Sequence, residues 1–448
     1  MGTRFVNVDR QTPLLMPPDL RDWVRRDDLA HFIIEALEVT DLSSAALNVR
    51  GTGSLQYPPA MMLGVMIYCY ARGVFSSRQI EDATYRDVSV RYLAADTHPD
   101  HDTIAKFRRE NGQLLKSVFV QVLGLAKRSG VMRLGTIAID GTKLKANAAK
   151  SKTKKLAELE EELKALNEEV TRMLKAAEEA DQSSGQSGVD LPKELADAQV
   201  RQARLLKAKA EMELQAQQLH QEREKQRKLE QERGVPAEAR VGAVSPAPKP
   251  TARINLTDPQ SALMPTRQQG FIQGYNAQIA MTVPESPGEI GLIVAAEVVS
   301  EVNDMLQLEP MAEKAIENLG QAPQRMLVDT GYDNTRQILG LKERHGLEVF
   351  CPPARNAKAK PGHVSRSRWD RQRKEARREM RERLELPENR AIYNRRSTSV
   401  EPGFGIVKNA MGFSRFRLRG LNKASTEWTL VALAFNCRRL AAANIQWN

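Results

Sequence analysis

The chain has 448 residues, which is room for two or three domains and an ample core. Its 67 Lys+Arg against 56 Asp+Glu leave a net charge of +11, a balance that favours a polyanionic partner. Three widely separated cysteines, Cys69, Cys351 and Cys437, lack metal-ligand spacing and read as buried thiols of a reducing compartment. No apolar run is long enough to span a bilayer. The opening Met-Gly-Thr-Arg-Phe-Val-Asn-Val has no apolar core of the kind a secretory signal needs, so the expected location is the cytoplasm.

Residues 1–130 read as all-helical. Leu29, Phe32, Ile33, Ala36 and Leu37 share one face of a helix, and Pro58 to Tyr70 is a Met-rich apolar helix suited to a core. Ser76 or Ser77 is placed to cap a helix over the following residues. Beyond Thr97-His98-Pro99-Asp100-His101 a second helix opens, with Asp102 or Thr103 as its cap. That helix carries Lys106, Arg108 and Arg109. Two short helices, the second basic, are compatible with helix-turn-helix DNA binding and equally with a small helical bundle. His98 and His101 have no second ligand pair at zinc-finger spacing, and a turn leading into a helix cap explains them.

A strand is expected at 134–140, after which the periodicity changes. Leu156, Leu159, Leu163, Leu166, Val170 and Met173 alternate by three and four, forming an a/d seam. Asp181-Gln-Ser-Ser-Gly-Gln-Ser-Gly188 breaks this helix. A second runs from about Lys193 to Arg233 with a weaker seam at Leu195, Ala198, Leu205, Met212, Ala216 and Leu219. An antiparallel helical hairpin inserted at 151–250 follows, with the Pro/Ala-rich stretch 235–250 as its linker. Strand-like sequence then resumes: 274–283 and 292–299 as a hairpin, a helix from about Met305 capped by Asn303-Asp304, and a strand ending at Asp329. A helix from Asn334 and a strand at 347–351 complete the series. The class is α/β (α+β), a mixed sheet with helices.

Asp140 and Asp329 each close a short apolar run, Ile-Ala-Ile and Met-Leu-Val, and each is followed closely by glycine. Two such strands can place two carboxylates side by side at one end of a sheet. Glu401 supplies a third acid. Adjacent carboxylates repel unless a cation lies between them, which suggests a divalent metal. Taken singly, either Asp reads as the cap of the turn that follows it. Glu401 and Lys408 lie two helical turns apart and point from one face, and Pro402 requires Glu401 to sit near that helix's start. Lys143, three residues past Asp140, is a candidate phosphate contact or a solvated lysine.

Residues 354–396 hold 15 Lys/Arg against 6 Asp/Glu, a net +9 of the whole chain's +11. Some of these charges pair at i+4, Arg371 with Glu375 and Arg378 with Glu382; a phosphate backbone suits the excess, with Arg371, Arg373, Arg377 and Arg378 as contacts. Trp428 to Leu440 reads as a buried amphipathic helix.

Asp140, Asp329 and Glu401, with the strand order around them, resemble the DDE transposases of bacterial insertion sequences. In those enzymes a Tyr-Arg-Glu-Lys signature spans the last acid. Here Glu401 and Lys408 keep its six-residue gap, while Tyr393 and Arg396 lie one residue further upstream. The resemblance implies an RNase H-like catalytic domain made of 131–150 and 251–448. Around it would stand a helical DNA-binding domain over 1–130 and the inserted hairpin over 151–250. It implies three catalytic acids that bind two Mg²⁺ or Mn²⁺ ions, with Tyr393, Arg396 and Lys408 on DNA. It also implies cleavage at terminal inverted repeats, transfer of the ends to target DNA, and a homodimer in the paired-end complex. A catalytically inactive DNA-binding descendant or another RNase H-like nuclease would share the fold.

Overall fold

The structure, a computed structural model, describes residues 19–47, 55–182, 191–232, 237, 240–266, 270–354, 368–443 and 445. Six helices come first: α1 (Leu29–Glu38), α2 (Pro59–Ala71), α3 (Ser77–Arg86), α4 (Val88–Leu93), α5 (His101–Glu110) and α6 (Gly112–Arg128). The expected face of α1 is the buried one. Ser76 caps α3, accepting from Gln79 N. The cap of α5 is Asp100, ahead of the expected Asp102 or Thr103, and its side chain accepts from Thr103 N. With α4 lying between them, α3 and the basic α5 are not joined by the tight turn of a helix-turn-helix.

The sheet is built on β5 (Gly270–Val283), a strand buried along nearly its whole length because both faces are covered. One edge pairs antiparallel with β1 (Thr136–Lys145); the other is shared in succession by β4 (Ala262–Thr266) and β6 (Ile293–Val299). On the far side β1 runs parallel to β7 (Arg325–Leu327), and β7 parallel to β8 (Glu348–Phe350). The order β6-β5-β1-β7-β8, three antiparallel strands continued by two parallel ones, is RNase H-like, as the resemblance implies.

Helices α9 (Leu308–Leu319), α10 (Thr335–His345), α11 (Arg368–Glu385), α12 (Pro387–Gly405) and α13 (Leu421–Ala442) follow or intersperse the later strands. Residues 427–437 of α13 are all buried, so this helix is enclosed on every side rather than amphipathic. It packs against α2, α6 and β6, and Asn436 exchanges two hydrogen bonds with the backbone of Ile293. The N-terminal helices and the sheet consequently share one hydrophobic core. All three cysteines are buried thiols.

The insertion stands on a two-stranded ladder, β2 (Thr153–Lys155) against β3 (Arg253–Asn255). From it rise α7 (Leu156–Gln182) and α8 (Leu191–Glu232), 27 and 42 residues or roughly 40 and 63 Å long. Lys209 meets Glu160 at 2.7 Å and Gln202 meets Asn167 at 2.5 Å, so the helices are antiparallel. The seam leucines of α7 are buried against Ala198, Leu205, Ala208 and Met212, whereas Leu219 is exposed. Most of the Gly/Ser break lies outside the described residues. The last turns of α8 run past the base of α7 and are held: Glu230 is buried, pairs with Arg336 on α10 and accepts from Val241 N. His220 Nδ1 lies 2.7 Å from the Val244 carbonyl, so the described part of the 235–250 stretch lies along α8 instead of swinging free.

Candidate active site

The site begins with a register. Ile137 and Ala138 of β1 stand opposite Met326 and Leu327 of β7 in parallel pairing. Two residues further along each chain are Asp140 and Asp329, so one register step sets the acids side by side where the pairing ends. Asp140 was expected at the end of its strand; instead β1 continues to Lys145, because β5 pairs with all ten of its residues. Asp329 does leave its strand, capping a 3-10 turn at Thr330–Tyr332. Each carboxylate has one oxygen on a backbone N–H just beyond it, Asp140 Oδ1 accepting from Gly141 N and Asp329 Oδ1 from Gly331 N, both at 2.8 Å. For Asp329 the capping role and the site role are therefore compatible, whereas Asp140 stands mid-strand and caps no turn.

Glu401 reaches the acids through Arg396. Arg396 Nη1 is 3.4 Å from Asp140 Oδ2, and Nη2 is 3.8 Å from Glu401 Oε1. The extra residue between arginine and glutamate does not prevent the contact, because both side chains project from α12 toward the β1 end. Lys408 lies on a π-helical segment, Ile406–Ala410, that continues α12, and its ammonium is hydrogen-bonded to Thr142. Tyr393 is half-buried beside Arg396. Pro402 is inside α12, not near its start. Its missing N–H leaves the carbonyl of exposed Thr398 to water, while Val400, Gly403 and Phe404 anchor the helix in the core.

Burial raises the Asp140 carboxyl to about 6, and the Asp329 and Asp304 charges add to this; Gly141 N and Arg396 oppose it. An acid so placed calls for a cation. Asp140 and Asp329 offer hard oxygen donors with no His or Cys between them, which suits a divalent ion of the Mg²⁺ or Mn²⁺ type. Among the described residues, however, no three His, Cys, Asp or Glu side chains converge to hold an ion. Glu401 is kept from Asp140 by the guanidinium of Arg396.

The structure corrects the expectation for two residues of this cluster. Asp304 was expected to cap a helix, but α9 starts at Leu308 and the Asp304 side chain turns to the sheet. Its Oδ1 accepts from Asn276 Nδ2 and Gln278 Nε2, each at 2.7 Å. Lys143 also belongs here. Its side chain is 18% exposed, with Nζ buried 3.6 Å from Asp304 Oδ1, so it is neither solvated nor presented to a DNA backbone.

The other basic candidates divide by burial. Arg371 and Arg373 are exposed on α11, as are Lys106 and Arg109 on α5. Arg378 is exposed, 3.6 Å from Glu382 and 3.9 Å from Glu375. Arg377, by contrast, is paired with the carboxylate of Asp333, and Arg108 is 4% exposed, donating to Tyr70 Oη and the Phe75 carbonyl. Neither faces a DNA backbone: one pins α11 to the turn after Asp329, the other is part of the core. His98 stacks on Tyr85 at 3.8 Å, and His101 Nδ1 is 2.7 Å from Glu81, so both imidazoles have protein partners.

Comparison with known families places these features. Residues 18–110 match a transposase domain (DUF772), and residues 251–437 match a transposase DDE domain that takes in Asp304, Asp329, Arg396, Glu401 and Lys408. No curated protein and no solved structure matches the chain. The two matched regions stand on either side of the strand that carries Asp140, and the chain belongs to the DDE-type transposases of insertion sequences.

Proposed function

We propose that the protein cuts DNA at the terminal inverted repeats of its element and joins the freed 3′ ends to target DNA, with Asp140, Asp329 and Glu401 as the catalytic acids. The observation that carries this reading is the parallel register that sets Asp140 beside Asp329, with Arg396 linking Asp140 to Glu401. A divalent ion held by these oxygens would activate the attacking oxygen and stabilise the leaving one in an in-line displacement at phosphorus. Arg396 then has a second task. Released from the acids, its fork of donors suits a phosphate of the strand being cut. Lys408 lies next to Thr142 on the same stretch of β1 and holds a positive charge near Asp140, where a scissile phosphate would approach. Arg371 and Arg373 would track the backbone further out.

The test is cleavage and strand transfer on duplexes carrying the element's ends, with Mg²⁺ or Mn²⁺. Asp140→Asn, Asp329→Asn and Glu401→Gln should each abolish both reactions while leaving specific binding intact, since each removes a metal ligand and no phosphate contact. A Glu401→Gln protein that cuts at the wild-type rate would remove Glu401 from the site. Wild-type protein that binds the ends but cuts with neither metal would favour a DNA-binding regulator.

A further inference from the structure

We propose that Asp304 is a positioning residue: its carboxylate holds the ammonium of Lys143 off the Asp140–Asp329 pair and so keeps that pair open to a metal ion. The inference rests on the metal-dependent reading above and goes beyond its three acids.

Asp304 is fixed from several sides. Two amide groups from β5, those of Asn276 and Gln278, donate to its Oδ1, and both residues are fully buried. Gln278 in turn accepts from the hydroxyl of Tyr332, the buried residue that closes the Asp329 turn. The carboxylate also approaches the backbone just beyond each catalytic aspartate. A Cβ at Gly141 would overlap the Gln278 amide and come within 2.8 Å of Asp304 Oδ1, and one at Gly331 would lie 3.7 Å from Asp304 Oδ2. The glycines that mark both strands in the sequence are thus where Asp304 comes close to each acid's loop.

Two amide donors do not call for a charge. The oxygen of an asparagine would accept from Asn276 and Gln278 equally well. The negative charge answers to Lys143, the one cation within 4 Å of Asp304 among the described residues. Lys143 Nζ is buried, makes no hydrogen bond, and lies in the field of Asp304 first and of Asp140 and Asp329 next. Since the Coulomb energy of a buried pair rises steeply as it closes, an unrestrained ammonium would settle on the two catalytic carboxylates and compete with any ion they bind.

The experiment follows the Mg²⁺-dependent rise in melting temperature of the DNA-free protein and takes the half-saturating concentration as its readout. Asp304→Asn should raise that concentration about tenfold, as Lys143 moves onto the acids. Lys143→Met should lower it. In a Lys143→Met background, Asp304→Asn should have little further effect. A merely structural Asp304 would lower the melting temperature without metal and would impose the same penalty in both backgrounds; that outcome, or an unchanged Mg²⁺ response in Asp304→Asn, overturns the proposal. If Asp304→Asn does not fold, Lys143→Met alone decides, since unchanged or weaker Mg²⁺ binding contradicts the role given to Lys143. Asp140→Asn serves as the control. If it responds to Mg²⁺ as wild type does, the metal site itself fails, and this proposal fails with it.

Discussion

Tyr70 on α2 donates its phenolic hydrogen to Glu427 on α13 across 3.1 Å, joining residues 357 apart in the chain. Arg108 on α5 donates to the same phenol at 2.8 Å, and the second oxygen of Glu427 accepts from the backbone of Arg417 and Leu418. A buried carboxylate and a buried guanidinium therefore meet at one hydroxyl, between the first helices and the last. Removing one partner leaves the other charge buried without compensation. Arg108→Met should cost about 3 kcal/mol and lower a single cooperative transition, followed by fluorescence of the fully buried Trp428. Two separated transitions, with only the first shifted, would show that the N-terminal helices melt on their own.

The same carboxylate predicts a pH dependence. Burial raises Glu427 above its ordinary value of 4.5, outweighing the opposing Arg108 charge and its hydrogen bonds. The folded state then holds the proton more tightly than the unfolded one. Its contribution is most favourable below 4.5 and is lost as pH rises from there through the folded value. Glu427→Gln removes that slope. The stability of wild type minus variant, from urea unfolding at several pH values, should fall as pH is raised. A difference that stays flat or grows would mean that Glu427 is ionised at little cost in the folded protein.

On α11 the basic residues separate by exposure and pairing. Arg371 and Arg373 are exposed, whereas Arg377 is paired to Asp333. Arg371→Ala with Arg373→Ala should weaken DNA binding on every sequence and flatten the salt slope by about 0.9 for each phosphate no longer neutralised. Arg377→Ala should instead lower the melting temperature and leave the slope as it was. If Arg377→Ala flattened the slope as strongly as the double variant, the pairing with Asp333 would have to open on DNA.

Arg396 holds the place between Asp140 and Glu401. Its guanidinium must leave before both carboxylates can share an ion, so on the proposed metal-dependent reading it would compete with metal in the free protein. Arg396→Ala should bind Mg²⁺ about tenfold more tightly without DNA, by melting shift, yet cut more slowly because the proposed phosphate contact is gone. Weaker Mg²⁺ binding in the variant would show that Arg396 orients the acids instead of blocking them.

How much of this the sequence disclosed depends on whether the cause is local. The face of α1 and the 274–299 hairpin follow from periodicity that any neighbour would satisfy, and they are where the pattern put them. The continuation of β1 past Asp140 was hidden because Gly141-Thr142-Lys143 looks like a turn; only ten-residue pairing with β5 makes it strand. α6 carries a local signal of the same kind as α1, an apolar face in Leu114, Val118, Val122 and Leu125. Asp304 after Asn303 reads as a helix cap, and nothing nearby reveals that Asn276 and Gln278 lie within reach. Arg377 and Arg373 share one helix and one composition, so which of them meets Asp333 is a tertiary fact.

The arm gives the last prediction. α7 buries its seam leucines on α8, so its seam is satisfied within the chain, and β2 and β3 bring the arm's two ends together at the root. The α8 overhang is tied to the catalytic region by Glu230 and Arg336. A rigid arm so fastened is suited to setting the position of a second protomer or a second DNA end, and cutting two ends in concert needs two active sites. Replacing residues 157–250 with a short Gly/Ser turn keeps the β2–β3 ladder and removes both helices. The shortened protein should still nick a single end with Mg²⁺, because none of the acids or their partners lies in the arm. It should fail to form paired-end complexes on native gels. Glu230→Ala, which leaves the arm in place but unfastens it, should reduce those complexes without abolishing them. Paired-end complexes of normal yield from the shortened protein would reduce the arm to a passive spacer.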